Sequence, residues 1–176
     1  MKTTKDLGNI ELSNTVIVSD PSYDRGTWCM TTDLAIRPGT YKAWIVQSDE
    51  GEFGTRVASL FLVHEDFAAA TLSDWESVNE EIGVDSGQCG IFDDTIYPQK
   101  DDKVFEERFY NECCSITLGV VPAGVLESNK GVVTSSGYGD GGYELFAISA
   151  AGERVALMLD FKLAKMREIM EAITSR

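Results

Sequence analysis

Tyr41-Lys42-Ala43-Trp44-Ile45-Val46, then Asp49-Glu50-Gly51-Glu52-Phe53-Gly54, then Arg56 through Val57-Ala58-Ser59-Leu60-Phe61-Leu62-Val63 to His64, is the stretch on which the fold turns. Two runs of β-forming residues joined by a short polar loop with glycine predict an antiparallel hairpin. Upstream, Arg37-Pro38-Gly39-Thr40 reads as the turn that feeds it. Thr15-Val16-Ile17-Val18 is a short β-branched strand stopped by Ser19-Asp20-Pro21-Ser22, since proline cannot continue a central strand. Downstream, Gly131-Val132-Val133-Thr134 enters a glycine-rich loop. In the run that leaves it, Tyr143, Leu145 and Ala147 alternate with Glu144 and Phe146. Ala150-Ala151-Gly152-Glu153 is a second hairpin turn, into Arg154-Val155-Ala156-Leu157-Met158-Leu159-Asp160.

Two segments carry a helical period. Asp101 to Cys114 places Val104, Phe105, Arg108 and Phe109 on one face, with acids in the first turn where they suit the helix dipole. At the end of the chain Leu163, Met166, Ile169, Met170 and Ile173 form an amphipathic stripe expected to pack on the sheet of its own domain. The middle is ambiguous. Leu72 to Val78 reads either as a helical turn capped by Ser73 or as an edge strand, and Ile82-Gly83-Val84-Asp85 and Gly90-Ile91-Phe92-Asp93 are brief apolar pieces. Strand connections are short and no βαβ alternation is visible. The fold class is therefore α+β, mainly antiparallel β, sandwich- or barrel-like, with one or two helices including the amphipathic C-terminal one. With no long linker or tandem repeat, residues 1–176 read as a single domain.

Charge is the unusual part of the composition. Lys and Arg number 15 against 29 Asp and Glu, a net charge of −14. Such a surface repels nucleic-acid polymers and anionic lipid, and steers basic partners toward itself. Met1-Lys2-Thr3-Thr4-Lys5-Asp6 lacks the apolar core of a signal peptide, and no run is long enough to span a bilayer, so a cytoplasmic protein without a membrane partner is expected. The four cysteines then read as thiols; Cys113 and Cys114 are adjacent, Cys29 and Cys89 isolated, and His64 is the one histidine, so zinc-ligand spacing is missing. Cys89 with His64 as base is a weak nucleophile pair, because no third residue orients it; His64 reads as a strand-end surface residue.

Function concentrates in three acidic turns that follow β-runs: Asp20-Pro21-Ser22-Tyr23-Asp24, Val84-Asp85-Ser86-Gly87-Gln88, and Ser135-Ser136-Gly137-Tyr138-Gly139-Asp140-Gly141-Gly142-Tyr143. Glycines let a backbone take positive φ or approach another group closely. Turn aspartates most often accept hydrogen bonds from their own backbone; the competing reading gathers Asp20, Asp85, Asp93, Asp94 and Asp140 around a hard cation. Tyr23, Trp28, Tyr138 and Tyr143 are placed to stack on a ligand or to pack locally. Arg25, Arg56 and the loop N–H groups are the candidate anion partners. The glycine loop is neither a Walker loop nor a dinucleotide fingerprint, so no cofactor is expected.

Taken together, Asp20-Pro21-Ser22-Tyr23, Arg37-Pro38-Gly39-Thr40-Tyr41, Arg56-Val57-Ala58, Val84-Asp85-Ser86-Gly87 with Asp93, Ser136-Gly137-Tyr138-Gly139-Asp140-Gly141-Gly142-Tyr143 and Asp160-Phe161 resemble an uncharacterised family of bacterial and phage proteins, a domain of unknown function. The glycine hairpin is its most specific element. This chain has Ser22 where the family often has cysteine, which removes a thiol from that turn. The resemblance implies a shared fold, a shared site and an accessory or counter-defence role in phage.

The leading expectation is a non-catalytic binding protein that sequesters a small polar, nucleotide-like ligand. Its site would comprise Asp20, Tyr23, Arg56, Asp85, Ser86, Ser136, Tyr138, Asp140 and Tyr143. Two alternatives stay open: an acidic inhibitor or immunity-type protein that binds a basic host protein, and a metal-assisted hydrolase using the loop aspartates. The sequence leaves the oligomeric state undetermined.

Overall fold

The computed structural model describes residues 1–67 and 74–174. Its strands are β1 (Lys2–Leu12), β2 (Thr15–Ser19), β3 (Thr31–Ala35), β4 (Gly39–Asp49), β5 (Thr55–His64), β6 (Glu76–Val84), β7 (Gln88–Asp93), β8 (Ala123–Val125), β9 (Gly131–Ser135), β10 (Gly141–Ala150) and β11 (Glu153–Asp160). They form a six-stranded sheet in the order β1-β4-β5-β11-β10-β6 and a five-stranded sheet in the order β3-β2-β7-β9-β8. Every pairing is antiparallel. The helices are α1 (Lys103–Thr117) and α2 (Met166–Thr174). No helix among the described residues is long and apolar enough to cross a membrane.

The period-2 alternation of side chains builds a sandwich with a helix on each outer face. In β5, Leu60 and Leu62 point into the layer between the sheets, where they join Val16, Val18, Ile45, Ile91, Val132 and Leu157. Phe61 and Val63 point the other way, toward Trp44 and the α2 residues Ile169 and Ile173. On the far side Ile17, Phe92 and Val133 meet Phe109 and Cys113 of α1. The predicted hairpin is β4–β5, closed by a short 3-10 turn at Gly51–Phe53 and registered from Tyr41↔His64 to Asp49↔Thr55. Of the C-terminal stripe, Leu163, Ile169, Met170 and Ile173 pack on the six-stranded sheet.

Five elements go beyond the sequence expectation, settle it or depart from it. β1 went unread because it is an edge strand whose only buried side chains are Ile10 and Leu12, so it shows no apolar alternation until its end. β3, Thr-Thr-Asp-Leu-Ala, and the three-residue β8 are too polar or too short to show a pattern. The ambiguous middle becomes β6, an edge strand; Leu72 and Ser73 of that expectation lie outside the described residues. On α1 the buried stripe is Phe109 and Cys113, whereas Val104 is 82% exposed and Arg108 is exposed, because the helix rolls its later turns onto the sheet.

His64 is also corrected: it is buried. Its ring meets Tyr41 edge-on at 5.1 Å, its Nδ1 accepts from the Asp66 N–H at 3.2 Å, and its Nε2 faces the Pro38 carbonyl at 3.2 Å. Gly39 makes the room, since a Cβ there would stand 2.6 Å from Nε2. Both ring nitrogens are thus engaged. The Cys89 thiol is sealed between the sheets, where burial pushes its pKa up and keeps it protonated.

Candidate functional site

Strand register brings the three acidic turns together. In the six-stranded sheet, Asp49↔Thr55, Ser59↔Asp160, Glu144↔Asp160 and Gly141↔Val84 put the β4–β5 hairpin, the end of β11, the start of β10 and the end of β6 at one end. In the other sheet, Ser19↔Gly90 and Gln88↔Ser135 put the end of β2, the start of β7 and the end of β9 at one end. The turns after β6 and β9 are arches that carry the chain from one sheet to the other, so both ends coincide. Ser136 N–H donates to the Gly87 carbonyl at 3.0 Å, joining the arches directly.

Asp20 is the brace of this end. Its carboxylate is completely buried. One oxygen accepts from Ser22 N–H at 2.8 Å and Ser86 Oγ–H at 2.7 Å; the other accepts from Asp85 N–H at 2.8 Å and Ser86 N–H at 2.7 Å. Tyr143 plays the same part for the glycine loop. Its ring packs edge-on against Phe161 at 5.0 Å, and its hydroxyl donates to the Ser136 carbonyl at 3.0 Å or the Gly139 carbonyl at 2.6 Å. Ser136 Oγ–H donates to the Gly139 carbonyl at 2.9 Å, and Gly137 and Gly139 take φ of +55° and +112°, which favour glycine. Asp20, Ser86, Ser136 and Tyr143 therefore shape the site, and their polar atoms are committed to the protein's own backbone or to one another.

The exposed candidates fall on two sides of the glycine loop. On one, Tyr23 Oη–H donates to Asp85 at 2.7 Å beside a pocket of about 290 Å³. Burial, the bond to Asp85 and the neighbouring Cys29 thiol push the Tyr23 phenol well above its ordinary pKa, so it stays a donor. The pocket is lined by Tyr23, Trp28, Glu81, Asp85, Gly141 and Gly142, among others, and its charged walls are Glu81 and Asp85. The Glu81 carboxylate lies over Gly142, where a Cβ would meet it at 2.4 Å, and makes no hydrogen bond or ion pair among the described residues. Trp28 stands at this rim 91% exposed. The sequence marks it only as one of several loop aromatics; it stands beside the edge strand β6, a segment that the sequence leaves open between a helical turn and an edge strand. Asp140 is exposed at the entry to Gly141.

On the other side the Arg56 guanidinium sits 5.6 Å from the Tyr138 ring centroid, and Phe53 meets that ring edge-on at 6.0 Å. Tyr138 Oη–H donates to Glu50 at 3.0 Å. Hydrogen bonds from Ser48 and Tyr138 hold the Glu50 carboxyl below its usual range.

No protein-family model, curated protein or solved structure matches this chain. The chemistry of the site rests on its own residues. Arg25, the first candidate anion partner, is spent: it pairs with Asp94 at 2.5 Å and donates to the Asp94 and Tyr97 carbonyls at 2.8 and 3.1 Å. Asp93 is buried and accepts from Ser13 N–H and from Thr95 N–H and Oγ–H. Burial raises its pKa, but these bonds outweigh burial and hold the carboxyl below its usual range. Among the described residues no group of three or more His, Cys, Asp or Glu is placed to hold a metal ion. The five aspartates are thus divided between bracing, ion pairing and the open rim.

Asp160, beside this end, behaves oppositely to Asp93. Burial and the facing Glu144 carboxylate raise its pKa, against the Lys162 N–H that bonds it at 2.8 Å. A carboxyl whose folded pKa is raised adds stability below its unfolded pKa and loses it as pH rises through the folded value. Asp160→Asn keeps the acceptor for Lys162 and removes the charge. It is expected to raise the Tm at pH 7 and to leave it nearly unchanged at pH 3, in thermal melts at both values; a lower Tm at pH 7 overturns this assignment.

Proposed function

We propose that the protein is a non-catalytic binding protein whose pocket receives a cationic group, so that its partner is basic. One observation carries this reading: an almost fully exposed Trp28 stands at the rim of a pocket whose charged walls are the carboxylates of Glu81 and Asp85. A guanidinium or ammonium gains from both the aromatic face and the carboxylates of Glu81 and Asp85. A phosphate would meet repulsion there, because Arg25 is committed to Asp94 and Arg56 belongs to the Tyr138 side. A volume near 290 Å³ also suits one long side chain better than a nucleotide. The net charge of −14 steers a basic partner toward the protein and makes the encounter salt-dependent. An accessory or counter-defence protein that occupies a basic surface of a host protein fits this chemistry and the family resemblance of the turns.

N-acetyl-arginine amide is the direct probe, titrated while backbone amide shifts are followed by NMR. Shifts at Trp28, Glu81, Asp85 and Gly142, weakened by added salt, are the expected result. Trp28→Ala is expected to reduce the affinity about tenfold, the scale of a partly desolvated cation–π contact, with the Tm unchanged because the ring is exposed. Shifts produced by adenosine monophosphate and not by the amide would overturn the reading.

A further inference from the structure

Resting on that reading, we infer that the partner is a protein surface gripped at two points, with the Phe53–Tyr138–Arg56 cluster as the second contact. Among the described residues the exposed large aromatic side chains are Trp28, Phe53 and Tyr138, 91%, 65% and 54% exposed. They belong to three separate loops, after β2, between β4 and β5, and between β9 and β10, and all three loops lie at the same end of the sandwich. Exposed aromatics scattered singly carry no meaning, but three gathered on one end by unrelated loops form a surface of the composition found at interface centres.

The spacing of the two clusters sets the size of the partner. Arg56 is on β5 and Glu81 on β6, with β11 and β10 between them. Neighbouring strands are about 4.8 Å apart, so three steps place the clusters on the order of 15 Å from each other. A single amino acid or small cation reaches only one of them. An extended chain of about six residues, or one face of a folded protein, reaches both.

The two points differ in chemistry. The Trp28 pocket presents carboxylates and takes a cation. At the second point Arg56 already covers one face of the Tyr138 ring, and Glu50 holds its hydroxyl. What remains for a partner is the exposed ring surface of Phe53 and Tyr138, which suits an aromatic or aliphatic side chain. Exposed Asp140 lies in the loop that joins the two and extends the acidic field along the path. The fitting partner is therefore a basic protein surface bearing an arginine or lysine and, about 15 Å away, an apolar side chain.

The probes are N-acetyl-arginine amide and two blocked peptides of about six residues, with an arginine and a tyrosine at opposite ends of a glycine spacer, one in each order. One order is expected to bind about tenfold more tightly than the amide through its second contact. Tyr138→Ala should bring that peptide down to the affinity of the amide while leaving the affinity of the amide itself unchanged. Phe53→Ala, at an exposed site in the other loop, should do the same. If both peptides bind no better than the amide, or if neither variant affects the peptide, the two-point inference fails and the pocket reading survives. If the amide itself fails to bind, the pocket reading fails and this inference with it.

Discussion

Asp20→Ala is expected to cost about 4 kcal/mol and to lower the Tm by roughly 8–16 °C for a chain of this length. The buried carboxylate receives the N–H groups of Ser22, Asp85 and Ser86 and the hydroxyl of Ser86. Removing it leaves these donors without their acceptor, and each buried donor left unpaired costs about 1–3 kcal/mol. The sum falls short of the full total because the truncated side chain leaves space for water to reach some of them. Asp20→Asn is the informative companion. It keeps both positions occupied but turns an N–H₂ toward donors, so its loss should lie between wild type and alanine. Urea denaturation with an unchanged m-value checks that the native state alone is affected. The candidate pocket is expected to suffer more than the fold. Asp20 ties the turn after β2 to the arch after β6, so in Asp20→Ala the Tyr23–Asp85 contact and the Trp28 rim lose their support even where the fold survives. A Tm drop of under about 3 °C would show that the arches hold one another without Asp20.

The contrast between Asp20 and Asp140 shows how far a sequence can be read. Both are turn aspartates beside glycine or proline, and the pattern marks both as important for the same reasons. One is buried and saturated, the other exposed, and only the sheet register separates them. The hairpin β4–β5, the strands β2, β9, β10 and β11, and the amphipathic end were legible because each carries a clear period or a strong turn signal. β1, β3 and β6 were not, because edge strands bury few side chains and carry little alternation. That gap hid the site as well. The pocket forms where the loop after β2 folds over β6 and the Gly83 N–H donates to the Cys29 carbonyl at 2.8 Å. With the segment of β6 open between a helical turn and an edge strand, Trp28, Glu81 and Gly142 had no place to meet. The gathering of the three turns follows from long-range pairings such as Gly141↔Val84 and Ser19↔Gly90, which local pattern does not encode. The commitment of Arg25 was likewise hidden: it looked like an anion partner until the fold placed Asp94 against it.

Gly90→Ala is expected to destabilise the protein by about 3 kcal/mol, near the upper end of what one added methyl group costs in a packed core. Nothing in the sequence distinguishes this glycine from its neighbours, but the packing does. Gly90 lies in β7, paired with Ser19 of β2 and Val133 of β9. A Cβ there would stand 2.3 Å from Cζ of Phe92 and 2.6 Å from the Val132 carbonyl oxygen. The ring must move, and it has no room: Phe92 packs against Phe109 at 5.0 Å and Tyr97 at 5.7 Å. The carbonyl belongs to a paired strand and yields only if β9 shifts. Both displacements push on the face that α1 covers, so the loss should appear first as faster amide exchange in Lys103–Thr117, ahead of the six-stranded sheet. Gly131→Ala is the control. Its Cβ would press on two side-chain atoms, Phe92 at 2.9 Å and Ile96 at 3.3 Å, and would reach backbone only at the ordinary contact distance of 3.5 Å from the Ile91 carbonyl oxygen. A smaller Tm loss is expected there, because side chains yield more cheaply than backbone. Equal losses at the two glycines would mean that the position of the Phe92 ring alone sets the cost. A Gly90→Ala protein with wild-type Tm and wild-type exchange in α1 would mean that the helix is not held through Phe92 at all.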